Sequence, residues 1–184
     1  MTNDLGIRGA VSQIPKQMKI LILGHAEHGK TTVANIIRDE YHMNYKDSSM
    51  AAAEIFLYEK LKPTFKYKSI EECYEDRRNH RALWHEEIAE YNKKDPARLA
   101  REIMKDNDIY CGMRSQIELD ATYEEPGDGM FDLVIGVYDN RKPLELVDSF
   151  KIDLWKACDV IIPNCSHEEV LEAKVIQLFD NLEL

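Results

Sequence analysis

The sequence predicts an α/β layered domain built on a mainly parallel, five-stranded sheet flanked by helices. Three observations lead there. Short apolar runs of the kind buried strands require recur at residues 19–23, 109–112, 133–138 and 160–162. Segments with helical spacing lie between and after them. A glycine-bounded loop, Gly24-His25-Ala26-Glu27-His28-Gly29-Lys30-Thr31-Thr32, joins the first run to a helix.

Residues 1–18 hold Asp4, Arg8 and Lys16 and no apolar segment, so they read as a polar N-terminal tail rather than a signal peptide. The remainder, 19–184, has the length of one domain. Its first strand is Lys19-Ile20-Leu21-Ile22-Leu23. The helix after the loop carries Val33, Ile36, Ile37 and Tyr41 at helical spacing and is expected to end near Glu40. Met43-Asn44-Tyr45-Lys46 reads as a short second strand, with the helix as a right-handed crossover between the two.

From 47 to about 107 the β-branched periodicity fades and charge becomes dense, which predicts a helical insertion. A helix starts at Ala51 and is expected to break at Lys62-Pro63. Ser69-Ile70-Glu71-Glu72 is a capping box whose helix is expected to run on through Leu83, Trp84, Ile88 and Tyr91. Asp95-Pro96 reads as an N-cap followed by proline at the first helical position. Strands come next at Ile109–Gly112, Leu133–Tyr138 and Val160–Ile162, with a turn-rich loop at Glu124–Gly129. Ser166-His167-Glu168-Glu169 is a second capping box, opening a last helix with Leu171, Val175, Leu178, Phe179 and Leu182 on one stripe.

The acidic balance, 34 Asp and Glu against 24 Lys and Arg for a formal charge of −10, disfavours a broad nucleic-acid-binding face. A basic pocket for one small anion remains compatible with it. Cys73, Cys111, Cys158 and Cys165 form no C-x-x-C pair and read as reduced core or loop thiols of a cytosolic protein. No apolar run approaches the length that spans a bilayer, so no membrane partner is expected.

The loop reads G-x-x-x-x-G-K-T after a strand and before a helix, the pattern that binds a nucleoside triphosphate. Backbone N–H groups of Gly24, His25, Ala26, Glu27, His28, Gly29, Lys30, Thr31 and Thr32 would curl around phosphate oxygens. Lys30 would place its charge on the outer phosphates, the Thr31 hydroxyl would ligate Mg²⁺, and the helix dipole would favour the same anion. His25 and His28 are expected to point outward while the backbone binds. Asn92-Lys93-Lys94-Asp95 spells the N-K-x-D of guanine-reading GTPases, but it comes after a helical pattern rather than a buried strand. No D-x-x-G lies downstream of the loop. A nonenzymatic or GTPase-type switch is therefore the lesser reading.

A small-molecule kinase needs arginines converging on the transferred phosphoryl group from several elements. Arg114 follows the third strand at its carboxyl end, where open parallel sheets place ligands, and Arg141 follows the strand ending beside Asp139. Arg77 and Arg81 stand four apart, on one face of the expected inserted helix, with Trp84 beside Arg81. Each arginine alone has a plainer alternative as a solvated face or surface ion pair. Trp84 has one as a core residue.

With these residues the chain resembles P-loop nucleotide kinases of the bacteriophage deoxynucleoside monophosphate kinase type, within the adenylate-kinase-like group. The resemblance rests on the loop, the helical insertion, Tyr110-Cys111-Gly112-Met113-Arg114 and the tail Ala157-Cys158-Asp159-Val160-Ile161-Ile162-Pro163-Asn164. The tail is similar to that of dephospho-CoA kinases too, and there the loop after the last strand lies against the nucleoside of ATP, the role this implies for Asn164. It further implies ATP and Mg²⁺ as cofactors, a small-molecule nucleotide as acceptor, and the host cytoplasm as location if the chain is phage-encoded. Asp47 and Ser48 would face the acceptor, Arg77, Arg81 and Trp84 would line its subdomain, Arg114 would grip its phosphate, and Arg141 would act as a short lid. Such kinases carry an acidic residue just before the third-strand arginine, where this chain has Gly112 and Met113. Asp139 is then the leading candidate for the Mg²⁺-organising carboxylate. A second phage family is also similar, the kinases that phosphorylate 5-hydroxymethyluracil in DNA. For that family the stretch Glu72–Trp84 would serve as a recognition helix and DNA as the partner.

Overall fold

A computed structural model describes residues 18–127, 129–145 and 150–182. Apart from Met18, the expected polar tail lies outside the described residues, as does Asp128 of the turn-rich loop. Five strands form one sheet in the order β2-β3-β1-β4-β5: β1 is Ile20–Leu23, β2 Tyr45–Asp47, β3 Ile109–Cys111, β4 Leu133–Tyr138 and β5 Val160–Pro163. All four pairings are parallel. The expected α/β class with a parallel five-stranded sheet is what the chain adopts.

Strand position tracks side-chain character. β1 (Ile-Leu-Ile-Leu) and β3 (Ile-Tyr-Cys) are wholly buried and sit inside the sheet, covered on both faces. β2, Tyr-Lys-Asp, is half-buried and takes the edge, where its polar side chains keep water. β3 therefore lies between β1 and β2, and the first helix does not join neighbouring strands. The register aligns Ile22 and Asp47 with Cys111, and Leu23 with Gly136, so the carboxyl ends of β1, β2, β3 and β4 share one edge.

Two apolar layers cover the sheet. On one face, helix α1 (Lys30–Tyr41) buries Val33, Ala34 and Ile37, and the last helix, α9 (Glu168–Asp180), buries Leu171, Val175 and Phe179. On the other face Leu21, Leu23, Tyr110 and Val134 pack against the helices between β2 and β3. These are α2 (Ser48–Ala52), a π-helical turn at Ala53–Leu57, α3 (Tyr58–Phe65), α4 (Ile70–Asp76), α5 (Arg81–Asn92) and α6 (Arg98–Met104). The inserted helices thus share one core with the sheet.

Local differences from the sequence reading have physical causes. The helix does not break at Pro63, which lies in the last turn of α3 before Lys66 closes it in the left-handed region. The missing N–H costs one hydrogen bond to the preceding turn, and the helix ends two residues later, at Phe65. The helix from Ser69 stops at Asp76, whose carboxylate accepts from Asn79 and lies 3.1 Å from His80, folding residues 77–80 into a turn. Arg77 and Arg81 consequently flank a turn instead of sharing a helix face. Asp95 does not cap α6: its carboxylate pairs with Arg101, while the Asn92 side chain accepts from Leu99 N at 3.2 Å. Ser166 likewise does not cap α9, which starts after His167 without a side-chain cap. A helix without a counterpart in the sequence reading, α7 (Gln116–Tyr123), comes after β3, capped by Ser115; α8 (Leu154–Ala157) precedes β5, capped by Asp153.

Candidate active site

Gly24 to Gly29 leave the buried end of β1 and turn through positive φ at Gly24, Glu27 and Gly29 before entering α1. Gly29 has φ near +99°, and a Cβ there would meet Asn164 Nδ2 at 2.3 Å. That amide donates to the His28 carbonyl at 3.1 Å, so Asn164, from the loop after β5, braces the turn. No side chain caps α1, so its first N–H groups and dipole end face the loop unclaimed by any side-chain cap. Thr31, at this end, is exposed. The Lys30 ammonium folds back onto the His25 carbonyl at 2.7 Å. Burial draws the Lys30 pKa below its ordinary value, and Arg114 adds to this, while Cys111, Glu145 and Asp47 oppose it.

The two loop histidines do not point outward. His28 is fully buried: its Nδ1 accepts from the Asp139 N–H at 3.0 Å, which leaves Nε2–H to donate to the Pro143 carbonyl at 3.2 Å. His25 Nδ1 accepts from the Glu145 N–H at 3.2 Å, and its ring packs on Phe150 with centroids 4.5 Å apart. Burial, then the neighbouring His28, lowers the His25 pKa. The loop's own side chains thereby hold the segment after β4 against it.

Asp139, the expected Mg²⁺-organising acid, has its carboxylate taken up by Arg141. Its buried carboxylate takes two parallel bonds from Arg141, both 2.8 Å, and a third from the Arg141 N–H at 2.9 Å. The Arg141 bonds hold its carboxyl well down, at about 2. Arg141 also donates to the Asn164 carbonyl at 2.9 Å, tying the ends of β4 and β5 together. Among the described residues, no group of three His, Cys, Asp or Glu side chains could hold a metal ion.

Glu145 was not singled out in the sequence. Its carboxylate accepts from Ala26 N at 2.6 Å and from Arg114 Nη1 at 2.6 Å. Its pKa falls despite burial, because Arg114, the Ala26 amide and Lys30 favour the charged form. Asp47, at the end of β2, caps α2 through Ser49 and Met50, at 3.0 and 3.1 Å. Ser48 donates to the Gly112 carbonyl at 3.3 Å. That contact explains why no carboxylate stands before Arg114: a Cβ at 112 would lie 2.6 Å from Ser48 Oγ, and Met113 is buried core.

The remaining expected acceptor residues disperse. Arg77 stacks over the Tyr74 ring at 3.6 Å, and with Arg78 they line an open cavity of about 380 Å³. Next to it, a cavity of about 440 Å³ is lined by Tyr74, Tyr45 and Asp47. Arg81 is exposed at the start of α5. Trp84 sits in the core, 3% exposed, rather than on an open face; its Nε1–H has no hydrogen-bond partner among the described residues.

No protein-family model matches the chain, and neither does any curated protein. Among solved structures it is similar to an unliganded sugar kinase from a Janibacter species, at 13% identity and a TM-score of 0.45, covering 89% of this chain and 95% of that one. It is similar as well to dephospho-CoA kinase from Campylobacter jejuni, at 12% identity and a TM-score of 0.48, covering 89% and 96%.

Proposed function

We propose that this chain is an ATP- and Mg²⁺-dependent kinase that transfers the γ-phosphoryl group to a deoxynucleoside or nucleoside monophosphate. One observation carries the reading. The uncapped N-terminus of α1, Lys30 and Arg114 converge from the ends of β1 and β3 on the loop Gly24–Thr31. A switch needs the loop and the lysine; an arginine aimed at the same place from another strand adds what phosphoryl transfer requires. Mg²⁺, held by Thr31, would neutralise charge on the phosphates. Lys30 would bind the outer phosphates, Arg114 would orient the anions, and Asn164 would support the loop. The acceptor would lie toward Asp47, Ser48, Tyr74 and Arg77. Among the described residues no helix is long and apolar enough to cross a membrane.

A second reading has support of its own. The Tyr74–Arg77 stack beside Arg78 offers the aromatic and guanidinium surface on which an extruded base can sit, as phosphorylation of 5-hydroxymethyluracil in DNA would need. Incubation with γ-labelled ATP and a panel of monophosphates and hydroxymethyluracil DNA separates the two. Label in a free nucleotide, with weak salt dependence, supports the first reading. Label in DNA that is lost steeply as salt rises supports the second.

A further inference from the structure

Glu145 makes a pattern of contacts that an ordinary surface carboxylate does not. One oxygen accepts from a main-chain N–H of the phosphate loop, at Ala26, and the other from the guanidinium of Arg114. Both donors belong to the anion-binding machinery proposed above, and the side chain is mostly buried, 13% exposed. Two oxygens bridging a loop amide and an arginine are the contacts that one edge of a phosphate group makes. The main chain of the same stretch is fastened separately, by Glu145 N–H on His25 and the Pro143 carbonyl on His28. The carboxylate can therefore leave its partners by side-chain rotation while the backbone stays tied to the loop.

We propose that the Ala26 N–H and Arg114 form an oxyanion seat for the terminal phosphoryl group of a nucleoside triphosphate. Glu145 fills it in the free protein as an intramolecular stand-in that the phosphate must displace. The inference rests on the kinase reading and adds to it a named competitor for the phosphate. Without an anion in the seat, Arg114 and Lys30 repel one another. Glu145 offsets that repulsion in the free protein. Once a phosphate arrives, two anions contend for the same donors and the carboxylate is expelled. The seat selects terminal phosphate: a diphosphate too short to reach it would bind without moving Glu145.

The test is calorimetric titration of the full chain with inorganic tripolyphosphate and with non-hydrolysable ATP, ADP and adenosine, for wild type, Glu145→Gln and Glu145→Asp. Glu145→Gln keeps the side chain's size and removes its charge. It should tighten tripolyphosphate and the ATP analogue about tenfold and leave ADP and adenosine within about twofold. Glu145→Asp, too short to span both donors, should fall between. If wild type binds the ATP analogue and Glu145→Gln binds it equally or more weakly, the stand-in role is wrong while the kinase reading survives. Equal tightening of ADP and ATP analogue would likewise overturn the seat, because a general loss of negative charge explains it. If wild type binds no triphosphate at all, the kinase reading fails first and this inference falls with it.

Discussion

Asn164 donates through Nδ2 to the His28 carbonyl at 3.1 Å and occupies the space where a side chain at Gly29 would begin, 2.3 Å from its Cβ position. The loop after β5 is thus a wall of the phosphate loop. Gly29→Ala should abolish triphosphate binding through both this clash and the positive φ, while far-ultraviolet circular dichroism stays native. Asn164→Ala in the same chain removes the clash and should recover part of the binding. The pair should be strongly non-additive in a double-mutant cycle by calorimetry.

Glu118 lies 7% exposed on α7 and accepts the Tyr110 hydroxyl at 2.8 Å. Burial pushes its carboxyl up to about 7 from an ordinary 4.5. The folded chain therefore holds a proton that the unfolded chain releases. The contribution of Glu118 to stability falls as pH rises from 4.5 to about 7, by up to about 3 kcal/mol, and is lowest above that range. Glu118→Gln still accepts from Tyr110 and removes the ionisation. Urea denaturation from pH 5 to 8 should show the stability of the wild type relative to the variant declining across the window.

Arg141 and Asp139 invert that sign. Asp139 is held near 2 by Arg141, so the pair's contribution is complete above about pH 4 and is lost as pH falls toward 2. Arg141→Ala leaves a buried carboxylate without its main partner and should lower Tm by several degrees at pH 7. Asp139→Asn added to it should restore most of the loss. The difference between wild type and Arg141→Ala should shrink when the melts are repeated near pH 3.

The outline of the fold was legible because its signals are local. Ile20–Leu23, Ile109–Cys111 and Leu133–Tyr138 are apolar runs too short for helices, and the glycine loop marks the turn from β1 into α1. The edge position of β2 and the burial of β3 accord with their polarity, and α1 is the expected crossover from β1 to β2, but the insertion of β3 between them is a long-range property with no local signal. Caps were read well where the acceptor had no rival, as at Ser69 (to Glu72 N, 3.2 Å), and badly at Asp95, where Arg101 competes for the same carboxylate. The inward turn of His25 and His28 was not legible, since their partners Glu145, Asp139 and Pro143 lie more than 100 residues away. Glu145 carried no signal of its own, since Asp139 and Asp148 flank it in the same stretch.

The inserted helices separate two arginines that a single continuous helix would have placed on one face. Arg77 faces Tyr74 beside Asp47, whereas Arg81 is exposed on the far side of the turn. Under the kinase reading, Arg77→Ala should raise the acceptor KM about tenfold with ATP KM unchanged. Arg81→Ala should leave both within about twofold. Equal effects would place the acceptor on α5.

The central claim is that the loop and Arg114 act together to pass a phosphoryl group to a nucleotide instead of to water. Its most direct test is a single-turnover experiment with γ-labelled ATP, Mg²⁺, excess wild-type protein and a saturating mixture of monophosphates, with the label partitioned by chromatography. Most of the label should appear in a nucleoside diphosphate, and Arg114→Ala should shift it toward inorganic phosphate or abolish turnover. Label found only in inorganic phosphate, at the same rate with and without acceptor, would contradict it.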